Sequence, residues 1–239
     1  MFLQTTLRRQ ERMLVWAHPA MRREVNDMNT KELEIKVCQW AVKACQTGLF
    51  EGTCGNLSAY DREQNFVVIT PSGLPYDQYT PEDMVVIDLE GNVLEGKHKP
   101  SSEWIMHTMV YKEKPEVNAA LHTHSPYASS FAVRNEGVPC ILVEMVPTIG
   151  GDIPLAKFGM PGTDEVGREA VKALKGRGGC LLANHGVLAV GADLGQAFER
   201  AGYIENAAKI CALAQSSGTA AVVKPEVVEA IRAHYNVHI

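Results

Sequence analysis

The sequence predicts an α/β protein of one domain, with a mixed or largely antiparallel sheet flanked by helices. Three observations carry that reading. Short β-branched runs alternate with segments of helical period. Several links between them are only as long as a hairpin or a tight turn. No Pro/Gly/Ser-rich linker and no repeat of about 20–50 residues interrupts the 239-residue chain.

The elements follow in order. Residues 1–28 have little pattern and read as an N-terminal extension before a domain over 29–239. A helix is expected from Thr30, its N-cap, because Leu33, Val37, Trp40, Ala41 and Ala44 recur at helical spacing up to Gly48. "EGTCGNLSAYD" reads as a turn entering a strand, and "NFVVITPSG" as a β-branched strand ended by Pro71 and Gly73. In "YTPED", Thr80 caps, Pro81 takes the first helical position and Asp83 lies where a capping box needs an acceptor. "MVVIDLEGNVLEG" reads as a hairpin turning at Gly91-Asn92.

"KPSSEWIMHTMVYKEKP" predicts a helix capped by Ser101 or Ser102 and closed by Pro115. "VNAALHTHS" is expected as a strand, "PYASSFAVRNEG" as a helix ended by Gly137, and "CILVEMVPT" as another strand. An amphipathic helix follows in "GTDEVGREAVKALKGRGG", then a buried strand or strand pair in "CLLANHGVLAVGA". A long helix over about 194–216 and a last one in "KPEVVEAIRAHYN" close the chain.

Composition excludes several roles. The net charge is −5 and no segment gathers a basic stripe, which argues against nucleic acid as partner. No apolar run approaches the roughly 18–20 residues of a membrane span. The N-terminus has no apolar signal core; Arg8, Arg9 and Arg12 leave a presequence open, but a plain extension is the simpler reading. Six cysteines at 38, 45, 54, 140, 180 and 211 form no C-x-x-C pair, which suits buried thiols of the reducing cytoplasm.

Chemistry concentrates in two places. His122 and His124 lie two apart in an apolar strand, so both point to one face, about 7 Å apart at the backbone. Such rings can converge on one ion at about 2.0–2.1 Å from each nitrogen. His185, in a second apolar run beside Gly186, supplies a third imidazole that needs a partner if buried. His98 and His107 read as solvated, and His18, His234 and His238 as terminal residues without a ligand role. The second place is "KPSSEW", where serine hydroxyls join free backbone N–H groups at a helix start and can receive an anion. "GTCGN" and "TPSG" add small donors, so a phosphate held by neutral groups is expected. Glu103 either compensates the helix dipole or, beside a metal, acts as a general base.

With "GTCGNLSAY", "ITPSGLPY", "KPSSEWIMH", "LHTHSPYA" and "LLANHGVLAVG" in this order, the chain resembles the class II aldolase and adducin-head family over about residues 30–215. The resemblance implies an α/β/α layered fold, a central mainly antiparallel sheet with helices on both sides, assembled as a homotetramer. It implies that His122, His124 and His185 bind Zn2+ or another divalent ion. Asn56, Ser72, Gly73, Ser101 and Ser102 would cradle a substrate phosphate, with Glu103 as the acid/base. The implied substrate is a phosphorylated sugar, a ketose 1-phosphate cleaved to dihydroxyacetone phosphate and an aldehyde. "PSSE" is similar to the fuculose-1-phosphate aldolase branch. The family's ribulose-5-phosphate epimerases usually carry Asp at the position of Glu103, and its methylthioribulose-1-phosphate dehydratases usually read Pro-Ser-Ala-Glu. Both remain alternatives. The fuculose enzymes also carry a tyrosine in the region of "CILVEMVPT", where this chain has Val143 and Glu144. Tyr127, Tyr203 and Tyr235 are the possible substitutes, and Tyr235 is the best of them.

Overall fold

A computed structural model of the chain describes residues 19–237 and 239. Among them one eight-stranded sheet runs in the order β4-β3-β2-β1-β5-β8-β7-β6. The strands are β1 (Asn56–Asp61), β2 (Phe66–Ile69), β3 (Val85–Ile87), β4 (Val93–Glu95), β5 (Ala119–Thr123), β6 (Leu155–Ala156), β7 (Gly179–Leu182) and β8 (Gly186–Gly191). Every pairing is antiparallel except the short β6–β7 edge. Seven α-helices accompany it: α1 (Pro19–Gln46), α2 (Trp104–Glu113), α3 (Pro126–Val133), α4 (Met145–Ile149), α5 (Asp164–Ala173), α6 (Leu194–Ser217) and α7 (Pro225–His234).

Both faces of the sheet are covered, so its central strands are apolar throughout. Leu57, Val68, Leu121, Val187 and Ala189 point into a core shared with α1, α3 and α6. Val67, Ile69, Ala120, Leu188 and Val190 point the other way, against Met106, Val110 and Tyr111 of α2 and Val166 and Ala170 of α5. This is the expected layered architecture. The register is what places the chemistry. Asn56 of β1 lies opposite His122 of β5, and His122 lies opposite Leu188 of β8. A slip of one residue would turn His122 into the aliphatic core and bring Leu121 to its place. An imidazole stranded there costs about 1–3 kcal/mol for each unpaired polar group.

Several local expectations hold. The capping box forms: Thr80 N and Oγ1 both donate to Asp83 Oδ2 at 2.8 Å, although the turn it starts is a 3-10 turn over Pro81–Asp83. The hairpin turns at Gly91-Asn92, with Asp88 accepting from the amides of Glu90 and Asn92. "CLLANHGVLAVGA" is a strand pair, β7 and β8.

Others are corrected. Thr30 does not cap α1; it lies inside a helix that starts at Pro19, because nothing upstream breaks it. "CILVEMVPT" is no strand but an irregular stretch leading into α4, which buries Met145, Val146 and Ile149 at helical spacing. Pro147 fits there because the first N–H groups of a helix have no internal partner. Neither serine occupies the N-cap of α2; Glu103 does, and Ser101 Oγ only accepts weakly from the Glu103 amide at 3.4 Å. α3 ends at Val133, before the left-handed Asn135 and well before Gly137. The expectations for residues 1–18 and His238 lie outside the described residues. No described helix is long and apolar enough to cross a membrane.

Candidate active site

Three strands end at one rim of the sheet. Asn56 begins β1, His122 and Thr123 end β5, and Gly186 begins β8. The strand alternation carries His124, one residue past β5, to the same side as His122. α3 starts directly after it, and Glu205 of α6 accepts from the Tyr127 and Ala128 amides at 3.0 and 2.8 Å. That carboxylate satisfies two otherwise orphan donors and fixes the chain leaving His124. His185 closes the turn between β7 and β8, with Asn184 left-handed at φ 55°. A side chain at Gly186 would collide with the Thr123 carbonyl and crowd both histidine rings. Strand β5 thus approaches the Gly186 backbone closely.

The four groups converge. The rings of His122, His124 and His185 lie 4.6–5.0 Å apart between centroids. Together with Glu103 they offer four ligand atoms within 4.8 Å of one another. His122 Nδ1 lies 2.8 Å from the Val187 carbonyl, so it donates there. A neutral imidazole has only one N–H, hence His122 Nε2 is a bare lone pair. It faces His124 Nε2 and Glu103 Oε2, each at 2.9 Å. A lone pair against a carboxylate is repulsive unless an extra proton or a cation sits between them. His185 Nε2 lies 3.3 Å from Glu103 Oε1, yet Glu103 Oε1 and His185 Nδ1 are buried without hydrogen-bond partners. Three imidazoles and a carboxylate with unused acceptors are the donor set of zinc or a similar divalent ion.

The electrostatics agree. Burial lowers His185 to about 4 and also lowers His124. Both stay neutral, the form that binds metal. Burial alone would raise the Glu103 carboxyl. Positive charge at the histidine cluster, as a proton or a bound cation, together with the Asn56 amide outweighs it and holds Glu103 well below the usual carboxylate range.

A cavity of about 320 Å³ opens beside these groups, lined among others by Asn56, Ser72, Gly73, Ser101, Ser102 and Glu103. An antiparallel bridge between Pro71 and Pro100 gathers its serines, with Ser72 N donating to Lys99 O and Ser101 N to Thr70 O, both at 3.0 Å. All five expected cradle residues therefore line a cavity beside the cluster of three histidines and Glu103. Two larger clefts, about 410 Å³ each, lie at the other ends of β1, β5 and β8 and hold no such cluster.

Three residues were not anticipated. His107, expected to be solvated, is fully buried and its Nε2 lies 2.5 Å from Asn56 Oδ1. Ser58 Oγ lies 2.6 Å from both His107 Nδ1 and the Tyr111 hydroxyl. The signal was present: Glu103, His107 and Tyr111 are four apart along α2 and share one face. His98 is likewise part-buried, against Asp83 at 2.9 Å. No tyrosine lines the cavity; Tyr127 and Tyr203 pack against the core and Tyr235 is exposed.

Comparison with known proteins is consistent with this geometry. Residues 35–212 match the family described as Class II Aldolase and Adducin N-terminal domain. A 5-deoxy-D-ribulose 1-phosphate aldolase of Bacillus thuringiensis serovar kurstaki is 38% identical over 188 residues, 79% of this chain and 87% of its own. A 5-methylthioribulose-1-phosphate/5-deoxyribulose-1-phosphate aldolase of Rhodospirillum rubrum is 40% identical over 162 residues, 68% and 72% of the two chains. The solved structure of an L-fuculose 1-phosphate aldolase superposes with a TM-score of 0.82 at 36% identity, covering 86% of this chain and 96% of its own.

Two outcomes are expected. The purified chain should bind about one divalent ion, and His122→Ala should abolish that binding in elemental analysis; full retention by the variant would refute the ligand set. Metal-free protein should lose stability as the pH falls. His107 is pushed down to about 3 by burial, whereas an unfolded histidine takes its proton near about 6.5. Between those values the unfolded chain binds the extra proton. Stability therefore drops on acidification, by up to about 1.4 kcal/mol per pH unit. Urea midpoints at several pH values should show this, and His107→Gln should remove the His107 share of the slope, leaving the smaller part that comes from His185 and His124.

Proposed function

The chain belongs to the class II aldolase and adducin N-terminal domain family, and on that premise we propose that it is a metal-dependent lyase cleaving a ketose 1-phosphate to dihydroxyacetone phosphate and an aldehyde. The observation that carries this reading is the meeting of three imidazoles and a buried carboxylate at the mouth of a neutral, serine-lined cavity. His122, His124 and His185 would hold the ion. Zinc or a similar cation bound there would supply Lewis-acid stabilisation of the enediolate that carbon–carbon cleavage leaves.

The protein's own groups do the rest. The hydroxyls of Ser72, Ser101 and Ser102 would hold the phosphate, since the Ser72 and Ser101 amides are already engaged. Gly73 and Asn56 complete that wall. Ionised Glu103 is the form that removes a proton from dihydroxyacetone phosphate in the direction of synthesis. By microscopic reversibility the same carboxyl delivers that proton to C3 in cleavage. The C4 hydroxyl proton requires another acceptor. In a homotetramer, the assembly we favour, exposed Tyr235 could reach a neighbouring site.

Among fuculose, ribulose and deoxyribulose phosphates we favour a 5-deoxyribulose 1-phosphate type of substrate. Two relatives bear that substrate in their names. Val143 and Glu144, both exposed, stand in the stretch where a fuculose-type tyrosine was expected. All six cysteines are free thiols, which supports a cytoplasmic location.

A panel of ketose 1-phosphates assayed for dihydroxyacetone phosphate tests the reading. Deoxyribulose 1-phosphate should be cleaved with kcat/KM about tenfold or more above fuculose 1-phosphate. Release of water, or inversion at a carbon without cleavage, would instead point to the dehydratase or epimerase chemistry of the same fold. Glu103→Gln should retain metal and phosphate binding and lose turnover by about 10²-fold or more.

A further inference from the structure

A chain of short contacts leads away from Glu103 into the core: Asn56, His107, Ser58 and Tyr111. We propose that His107 is a positioning residue for Glu103, acting through Asn56, whose carboxamide it locks with the N–H end toward the carboxylate. This rests on the aldolase reading above and adds to it a group that touches neither substrate nor metal.

The directions follow from the chemistry of each group. Asn56 Nδ2 lies 3.2 Å from Glu103 Oε2. A carboxylate only accepts, so the amide nitrogen must face it; the opposite orientation would set two oxygens against each other. Asn56 Oδ1 then faces His107 Nε2 at 2.5 Å, which requires that nitrogen to carry the hydrogen. His107 is fully buried and has no carboxylate among its hydrogen-bond partners, so it is neutral and its Nδ1 is bare. That nitrogen accepts from the Ser58 hydroxyl at 2.6 Å, and Ser58 Oγ accepts in turn from the Tyr111 hydroxyl at 2.6 Å. Asn56 Nδ2, His107 Nε2 and Ser58 Oγ each donate to the next acceptor in the series, and the one Tyr111 hydrogen is shared between Ser58 Oγ and the Ser58 carbonyl. Tyr111 anchors the far end, where its hydroxyl also lies 3.0 Å from the Ser58 carbonyl.

The arrangement has a consequence specific to catalysis. A free Asn amide can turn about its last torsion and exchange its two ends at little cost. Here one orientation alone satisfies both neighbours. The carboxylate oxygen nearest His122 is thereby held by a fixed donor, so the proton-transferring group stays in place as charge moves onto and off the substrate. A framework role alone would explain the burial of His107 but does not require a defined tautomer pointing at Asn56.

The test uses exchange of the hydroxymethyl proton of dihydroxyacetone phosphate with deuterated water, followed by NMR on the metal-loaded protein. It isolates the Glu103 step and needs no aldehyde. Wild-type protein should exchange this proton; if it does not, the aldolase reading fails before the positioning role is tested. His107→Phe keeps the ring volume and removes the donor. It should exchange about tenfold or more slowly, with metal content unchanged and the concentration of dihydroxyacetone phosphate for half-saturation within about twofold. His107→Gln can still donate to Asn56 Oδ1 and should recover to within about threefold of wild type. Ser58→Ala frees the tautomer while sparing the core, and should slow exchange by a few-fold with the same unchanged half-saturation. Wild-type exchange in His107→Phe would overturn the proposal. So would equal loss in the Phe and Gln variants. If His107→Phe does not fold, Ser58→Ala decides: wild-type exchange there overturns it.

Discussion

The rim of the sheet depends on one hydrogen bond, from His122 Nδ1 to the carbonyl of Val187 across the β5–β8 ladder. It consumes the only N–H of a neutral imidazole and so chooses the tautomer. Had the proton been on Nε2, that nitrogen would simply donate to Glu103 and the cluster would be a closed hydrogen-bonded pair. With the proton on Nδ1, a lone pair is aimed at the acceptor-only Glu103 carboxylate and at His124 Nε2, each 2.9 Å away, and the contact with the carboxylate calls for a positive charge between them. A backbone carbonyl is the right partner for this task, because it accepts and cannot give a proton back.

Much of the fold can be read as what that bond requires. The register must set His122 against Leu188 so that its ring reaches the neighbouring Val187 carbonyl, and a sheet buried on both faces makes any other register expensive. Gly186 must lack a side chain for β8 to start so near Thr123 and the two histidine rings. Glu205 ties the amides of Tyr127 and Ala128, so the segment leaving His124 cannot swing away. The Pro71–Pro100 bridge then draws two serine-bearing turns to the same rim. Each of these contacts joins segments distant in sequence, and the cluster forms only when the whole sheet has formed.

That distance also explains which features could be read before the structure. His122 and His124 were legible because strand alternation is local, and His185 because a polar ring in an apolar run demands a partner. The layered fold was legible because apolar runs and helical periods alternate over the whole chain. His107 was not, since a helical position does not by itself say which face is buried: it lies one turn after Glu103, but its partners Ser58 and Asn56 lie on another element 49 and 51 residues away. The 140–148 stretch misled for a different reason. A short apolar run looks the same as a buried strand or a buried helical turn until the neighbouring elements choose. At Thr30 a capping residue was present, yet a cap residue does not start a helix when the preceding sequence is also able to continue it.

The charge balance of the site ties these parts together. The cavity wall offers serine hydroxyls and amides and contains no lysine or arginine. Glu103, on the same wall, is held ionised. A phosphorylated substrate would therefore bring more negative charge to a carboxylate with no protein cation to meet it. The neutral hydroxyls can supply hydrogen bonds, but they cannot offset like-charge repulsion inside a partly desolvated pocket. Only a cation at the three histidines changes the sign of the field there. In the proposed reaction the metal site and the phosphate cradle are thus one electrostatic unit, and the His122 lone pair aimed at the Glu103 carboxylate is the feature that makes this coupling necessary.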